Sequence, residues 1–325
     1  MYLQTALPAA GSGKKWCDYV GLALIKNVEI EIGGQRIDKQ YGDWMYIWNE
    51  LSLPYGKRTG YNTMVGSSLA TSSAATTLYI PLEFWFCRNP GLALPLIALQ
   101  YHEVKVNLEF RPLTELGFAH LAPTSVSLGT TSLWVDYIFL DTDERRRFAQ
   151  LSHEYLIEQL QFTGDESVTS SATSSKVKLS FNHPVKELVW VIQNDTYASS
   201  GTSNDWFNYT DNALEANGTN LCTSAKLQLN GHDRFAERAG AYFNLVQPYQ
   251  HHENIPSNVG INVYSFALKP EEHQPSGTLN MSRIDSAVLN LGHTGLVGTA
   301  KIRVYAVNYN VLRVLSGMGG LAYSN

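Results

Sequence analysis

Several stretches of this chain carry residue types used in phosphate, metal or acid–base chemistry. Gly11-Ser12-Gly13-Lys14-Lys15 has the glycines and lysine of a phosphate-cradling loop. That motif also needs Gly five residues before Gly13, where Pro8 stands, and Ser or Thr after the lysine, where Lys15 stands. A flexible loop is expected instead. His251-His252-Glu253 offers two imidazoles and a carboxylate, but cupin-type metal sites need His-x-His, and the chain has none. His102-Glu103 and His153-Glu154 lack the second His that a zincin helix places four residues on. Asp141-Thr142-Asp143-Glu144 opens like a calcium loop, yet Arg146 stands at the glycine position and Ser152 at the closing glutamate. Arg145-Arg146-Arg147 abuts three acids and reads as self-paired charge on a connector. There is no Gly-x-Ser-x-Gly elbow, and none of the three cysteines sits in a nucleophile signature. No catalytic residue, metal ligand or cofactor site is expected.

Four Asn-x-Ser/Thr sequons, at Asn194, Asn208, Asn217 and Asn280, are candidate glycosylation sites. The chain opens without a secretory signal, so use of these sites by luminal enzymes is not expected.

The elements that would hold such residues are mostly strands. Val28 to Ile32, Val104 to Phe110, Val177 to Phe181, Leu188 to Ile192, Ile261 to Phe266 and Ile302 to Val307 all read as β, punctuated by turns such as Asn89-Pro90-Gly91 and Asn230-Gly231. Helical periodicity is limited to Asp143 to Leu151 and, more briefly, Tyr41 to Leu51. The polar stretches Ser67 to Thr77, Ser167 to Ser175 and Thr196 to Thr223 read as exposed loops, the last tolerant of insertion near Gly218. With 325 residues, 44% hydrophobic and only 16% charged, the chain can fill two ordinary domains. A net charge of −5 argues against wrapping a polyanion. Cys17, Cys87 and Cys222 are too few and scattered for a disulfide framework. Leu92 to Leu99, broken by Pro95, is too short to span a bilayer, and the run Pro90 to Leu99 belongs in a core or a subunit contact.

The chain also echoes itself. Val28-Glu29-Ile30-Glu31-Ile32-Gly33-Gly34, Arg36 and Gly42-Asp43-Trp44-Met45 are matched by Lys226-Leu227-Gln228-Leu229-Asn230-Gly231, Arg234 and Gly240-Ala241-Tyr242-Phe243. Arg36 and Arg234, like Gly42 and Gly240, are 198 residues apart. A second echo pairs Val135 to Phe139 with Arg303 to Val307, 168 residues on. Two similar units in tandem, 1–150 and 151–325, are expected, both all-β. About 75 residues from His153 precede Asn230-Gly231, whereas 33 precede Gly34, so the first unit is expected to lack one or more opening strands in an N-terminally truncated chain.

Ordered stretches carry a family resemblance. They include Val28-Glu29-Ile30-Glu31-Ile32-Gly33-Gly34-Gln35-Arg36-Ile37-Asp38, Phe86-Cys87-Arg88-Asn89-Pro90-Gly91, Leu140-Asp141-Thr142-Asp143-Glu144-Arg145-Arg146-Arg147-Phe148-Ala149 and Phe266-Ala267-Leu268-Lys269-Pro270-Glu271-Glu272-His273-Gln274-Pro275-Ser276-Gly277. Across essentially its whole length the chain resembles the major capsid proteins of the nucleocytoplasmic large DNA viruses. The resemblance implies two tandem eight-stranded jelly rolls, a homotrimeric pseudo-hexagonal capsomer, and an icosahedral shell in the virion, assembled in the host cytoplasm. It implies neighbouring capsomers, minor capsid proteins and penton proteins as partners. It also implies a shell lying over an internal membrane without spanning it, and no direct nucleic-acid binding. Two readings of other classes are a carbohydrate-binding jelly-roll module, which needs aromatics clustered on one exposed face, and a cupin-like metal enzyme, which needs stoichiometric metal.

Overall fold

The computed structural model describes residues 1–118, 121, 123, 126–198, 204–213 and 215–324. Its first half contains strands β1 (Tyr2–Leu7), β2 (Ile25–Ile32), β3 (Gln35–Tyr41), β4 (Thr76–Pro81), β5 (Val104–Phe110) and β6 (Thr131–Trp134). They form two three-stranded antiparallel sheets, β4-β1-β6 and β3-β2-β5. Alternation sets the faces: Leu3, Thr5 and Leu7 of β1 and Val28, Ile30 and Ile32 of β2 all point into one core.

The second half contains β7 (His153–Phe162), β8 (Glu166–Thr169), β9 (Ser174–Leu179), β10 (Pro184–Asn194), β11 (Cys222–Leu229), β12 (His232–Asp233), β13 (Arg238–Ala239), β14 (Asn262–Ser265), β15 (Leu279–Asn280), β16 (Ala287–His293), β17 (Thr299–Leu315) and β18 (Met318–Leu321). One sheet runs β14-β10-β17-β18, with β7, β8 and β15 joining it; the other runs β12-β11-β16-β9, with β13 on β11. The orders β4-β1-β6 and β14-β10-β17 correspond, as do β3-β2-β5 and β12-β11-β16. Among the described residues no strand pairing joins one half to the other.

β10 and β17 are buried on both sides. Leu188, Trp190 and Ile192 face a core shared with Leu227, Leu289 and Leu291 of the opposing sheet. Val189 and Val191, with Tyr305 and Val307 of β17, face the core of the first half. The uninterrupted apolar run Leu188 to Ile192 is therefore a strand with two dry faces rather than one.

The helices lie mainly in the first half: α1 (Val20–Leu24), α2 (Gly42–Ser52), α3 (Tyr55–Val65), α4 (Trp85–Arg88), α5 (Thr142–Gln150), α6 (Asp195–Ala198) and α7 (Gln247–His251). Both expected helices are present, as α5 and α2. α3 has no sequence signature, because Gly56 and Gly60 lower its propensity and it buries only Tyr61 and Val65. No helix among the described residues is long and apolar enough to cross a membrane.

The first echo is structural. Gly33 and Gly34 have φ of 58° and 83°, Asn230 and Gly231 have φ of 50° and 81°, and each pair closes a two-residue hairpin. Downstream, a Cβ on Gly42 would strike the carbonyl oxygens of Leu22 and Ile25, and one on Gly240 that of Cys222. Ile25 and Cys222 are the first residues of corresponding strands.

The second echo diverges. Residues 303–307 lie inside β17, all paired with β10 and, from Tyr305 on, with β7 as well. Residues 135–139 continue past β6 without a partner strand among the described residues, and Tyr137, Ile138 and Phe139 are exposed. Like sequences differ here because only one has strands on both sides.

Two expected loops are also corrected. Ser167 to Ser175 contributes to edge strands β8 and β9, since Val168 and Val177 supply the inward positions. In Thr196 to Thr223, residues 199–203 and 214 lie outside the described residues, but Asn204, Phe207, Asn208, Tyr209 and Thr210 are buried, so this stretch is not simply an outward loop. Insertion near Gly218 is disfavoured, because a Cβ there already collides with Thr210.

The glycine geometry makes a paired prediction. Gly42→Ala and Gly240→Ala should each lower the unfolding free energy measured in urea by about 1–3 kcal/mol, for a clash the backbone must relieve. Gly60→Ala, inside α3 with nothing within 4 Å of a new Cβ, should raise stability by up to ~1 kcal/mol.

Candidate functional site: the interface between the two halves

The face that α2 presents to the second half is built from aromatic rings. Tyr46 stacks on Phe207 at 4.6 Å and meets Tyr209 at 6.3 Å, while Trp44 packs on Tyr305 at 5.4 Å. Tyr41 of β3 meets Phe162 of β7 edge-on at 5.2 Å. These rings are large apolar surfaces with defined packing geometry, so they fix position as well as affinity.

Charges complete the interface. Asp43, in the first turn of α2, is 3.1 Å from Arg303 and 3.6 Å from Arg111. A carboxylate is favoured at this helix end by the unpaired N–H groups there. Arg303 also reaches Asp165 at 2.9 Å; burial would lower its pKa, but Asp43 and the acids around it raise it. Arg88 of α4 pairs with Glu158 of β7 at 2.8 Å and lies over the Trp48 ring at 4.4 Å. Lys186, fully buried on β10, is 2.8 Å from the same carboxylate. Burial opposes ionisation of Glu158, yet His273, Lys186 and Arg88 together hold it down at about 2. For Lys186 burial wins, and its pKa is lowered despite Glu158 and Glu187. A cleft of about 250 Å³ opens beside this cluster, lined partly by Trp85, Arg88, Glu158 and His273. Its charges are matched internally, which leaves no free base or nucleophile aimed into it.

His252 is enclosed between Glu187 (Nε2 to Oε2, 3.0 Å) and Glu271 (Nδ1 to Oε1, 2.8 Å). The contact to Glu187 is close but not aligned as a hydrogen bond. Burial alone would lower the pKa of His252; the two carboxylates outweigh it and raise the group to about 9. His251 instead meets the Leu268 carbonyl at 2.9 Å, and the Glu253 N–H donates to Glu271. The three consecutive residues diverge rather than converge, and no His/Cys/Asp/Glu group among the described residues could hold a metal ion. The Gly11 to Lys15 stretch is a loop whose Gly13 N–H donates to Ser72 Oγ, and Asp141 caps α5 through the N–H groups of Asp143 and Glu144. The thiols are poor nucleophiles: burial pushes Cys87 and Cys222 up to about 11, and Cys17 further.

Of the sequons, Asn194 and Asn208 are wholly buried, with their amides donating to Thr210 O and Asn212 O, so the folded chain cannot offer them to a transferase. Asn217 and Asn280 are exposed. Reading the sequence overlooked Asp43, Arg88, Glu158, Lys186 and Arg303. The available signal was a charge within an otherwise apolar strand, as in Val185-Lys186-Glu187-Leu188 and Ile302-Arg303-Val304.

This architecture has close counterparts. Residues 144–320 match the family model described as large eukaryotic DNA virus major capsid protein, and residues 1–141 match that for the major capsid protein N-terminus. The chain belongs to the large eukaryotic DNA virus major capsid protein family. A major capsid protein of Pyramimonas orientalis virus is 53% identical, over all of this chain and 83% of its own length. That of Paramecium bursaria Chlorella virus 1 is 46% identical, over 94% of this chain and 80% of its own. The solved structure of PBCV-1 VP54, fitted into a reconstruction of the virophage Sputnik, superposes with a TM-score of 0.86 at 41% identity, covering all of this chain and 89% of that one. The Faustovirus major capsid protein shares the fold, with a TM-score of 0.77 at 14% identity over 97% of this chain and 77% of that one. The fold of this capsid-family chain is the all-β double jelly roll.

The buried charges set a pH dependence. His252 has a folded pKa near 9 against an ordinary value of 6.5, so its stabilisation is complete below pH 6.5 and disappears as pH rises through 9. The full effect is on the order of 3 kcal/mol. Glu215, raised from 4.5 to about 8 by burial and by Asp205 and Glu50, loses its contribution between those two values, so it adds to the lower part of the same fall. Melting temperature should therefore fall between pH 6.5 and 9.5, and His252→Gln should lower the pH 6.5 value while flattening that slope. An unchanged slope in the variant would remove His252 from the account.

Proposed function

We propose that this protein is the principal building block of a large DNA virus shell, acting through assembly rather than catalysis. The two units, 1–150 and 151–325, are read as successive jelly rolls, which agrees with the separate sheets and with family matches that meet between residues 141 and 144. Three copies would place six rolls in a ring, giving a pseudo-hexagonal capsomer from one polypeptide with closed, self-limiting contacts. The observation that carries this reading is the shared core: α2 and the back of the β10–β17 sheet fix the two rolls as one block, as a tile requires.

Neighbouring capsomers, minor capsid proteins and penton proteins are the proposed further partners, with assembly in the host cytoplasm and the finished shell over an internal membrane. Direct nucleic-acid binding is not part of the proposal, since the net charge is −5. Asn217 and Asn280, being exposed, are the sequons open to a glycan.

Light scattering on the purified chain at micromolar concentration should give about three times the 36.2 kDa protomer mass, unchanged on tenfold dilution. A monomer mass would overturn the capsomer reading.

A further inference from the structure

The two rolls present the same helix positions to different surroundings. The spacing that pairs Gly42 with Gly240 also pairs Ile47 with Leu245, Trp48 with Val246 and Leu51 with Tyr249. Ile47, Trp48 and Leu51 on α2 are 0%, 4% and 0% exposed. Leu245, Val246 and Tyr249, on the π-helical turn Tyr242–Val246 and on α7, are 46%, 39% and 77% exposed. Leu268, whose carbonyl meets His251, extends the patch and is 73% exposed. Contiguous apolar surface at a helix end is a contact surface by default.

The covered copy of this helix shows how the open one can be covered. The end of α2 is closed by the second roll's segment just before β14. Asn254 N–H donates to Leu51 O at 3.0 Å, its side-chain amide donates to Leu53 O, and Ser257 donates through N–H and Oγ to Glu50 Oε2. In the first roll the corresponding segment precedes β4, because β4-β1-β6 repeats the order β14-β10-β17. That segment, residues 66–75, is rich in Ser, Thr and Ala and is largely exposed.

We propose that the helix end at Leu245, Val246 and Tyr249 docks a second copy of this chain, through loop 66–75 of that copy's first roll. The contact repeats between chains what residues 254–258 and α2 already do within one chain. It is heterologous, so first and second rolls alternate, and three copies close the ring. The proposal rests on the capsomer reading and supplies its interface.

The test compares the native masses of the wild-type chain and the double variant Leu245→Asp, Tyr249→Asp, with circular dichroism to verify folding. The expected result is a fall to one third of the wild-type mass with an unchanged spectrum. A second arm uses the double variant Thr71→Cys, Tyr249→Cys, in which a short bismaleimide should join chains while neither single substitution, nor the wild-type chain with its three native cysteines, does so. A trimeric wild type whose Asp variant stays trimeric would overturn this surface and leave the capsomer reading standing. A monomeric wild type would overturn that reading and this inference together. If the Asp variant fails to fold, the cysteine arm decides: cross-linked chains support the surface, and their absence from a trimer overturns it.

Discussion

The sheet containing β10 and β17 has to be dry on both faces, and the rest of the molecule is arranged to keep it so. One face is covered by the β11–β16 sheet of its own roll, the other by α2 and the strands of the preceding roll. Trp44, Tyr46, Phe207, Tyr209 and Tyr305 fill that second face, and all are nearly or wholly buried. Each such ring removes about 150–250 Å² from water. At ~25 cal/mol per Å² that is roughly 4–6 kcal/mol per ring before the entropy of ordering is subtracted. Separating the rolls would expose this surface, so the pair behaves as a single structural piece.

The aromatic packing sets the position of the two rolls, and the buried ions fix their orientation further, since Asp43 can meet Arg303 and Arg88 can meet Glu158 in one relative placement only. Taking away one member of such a pair leaves the other uncompensated, a loss of about 3–5 kcal/mol. The charges thus contribute less to net stability than to fixing orientation. A repeating tile needs that orientation, because small angular errors accumulate around a closed ring.

Much of this was legible in the residues. Gly33-Gly34 and Asn230-Gly231 announced two equivalent hairpins because only such residues adopt positive φ cheaply. Gly42 and Gly240 recur because a strand carbonyl occupies the place of a Cβ in both rolls. Val104 to Phe110 was bounded correctly because its alternation is regular. α3 was illegible, since its glycines deny it a propensity signal and tertiary contacts at Tyr61 and Val65 hold it instead. The stretch Thr196 to Thr223 reads as surface because Asn, Ser, Thr and Gly are abundant along it, yet within residues 204–210 polar side chains pair internally. Asn208 Oδ1 accepts from Thr210 N–H and Oγ, and Asn258 donates to Phe207 O. His252 was considered as a ligand and serves as a buried ion-pair partner, which spacing along the chain could not reveal, because Glu187 and Glu271 come from different segments.

Native-state hydrogen exchange tests the shared core most directly, because it reports the free energy of opening residue by residue. If the two rolls form one cooperative piece, the slowest amides of β2 and α2 exchange with the same free energy, and the same denaturant dependence, as those of β10 and β17. Exchange of β2 and α2 at distinctly lower free energy, while β10 and β17 remain protected, would contradict that account and leave the rolls as independently folding units.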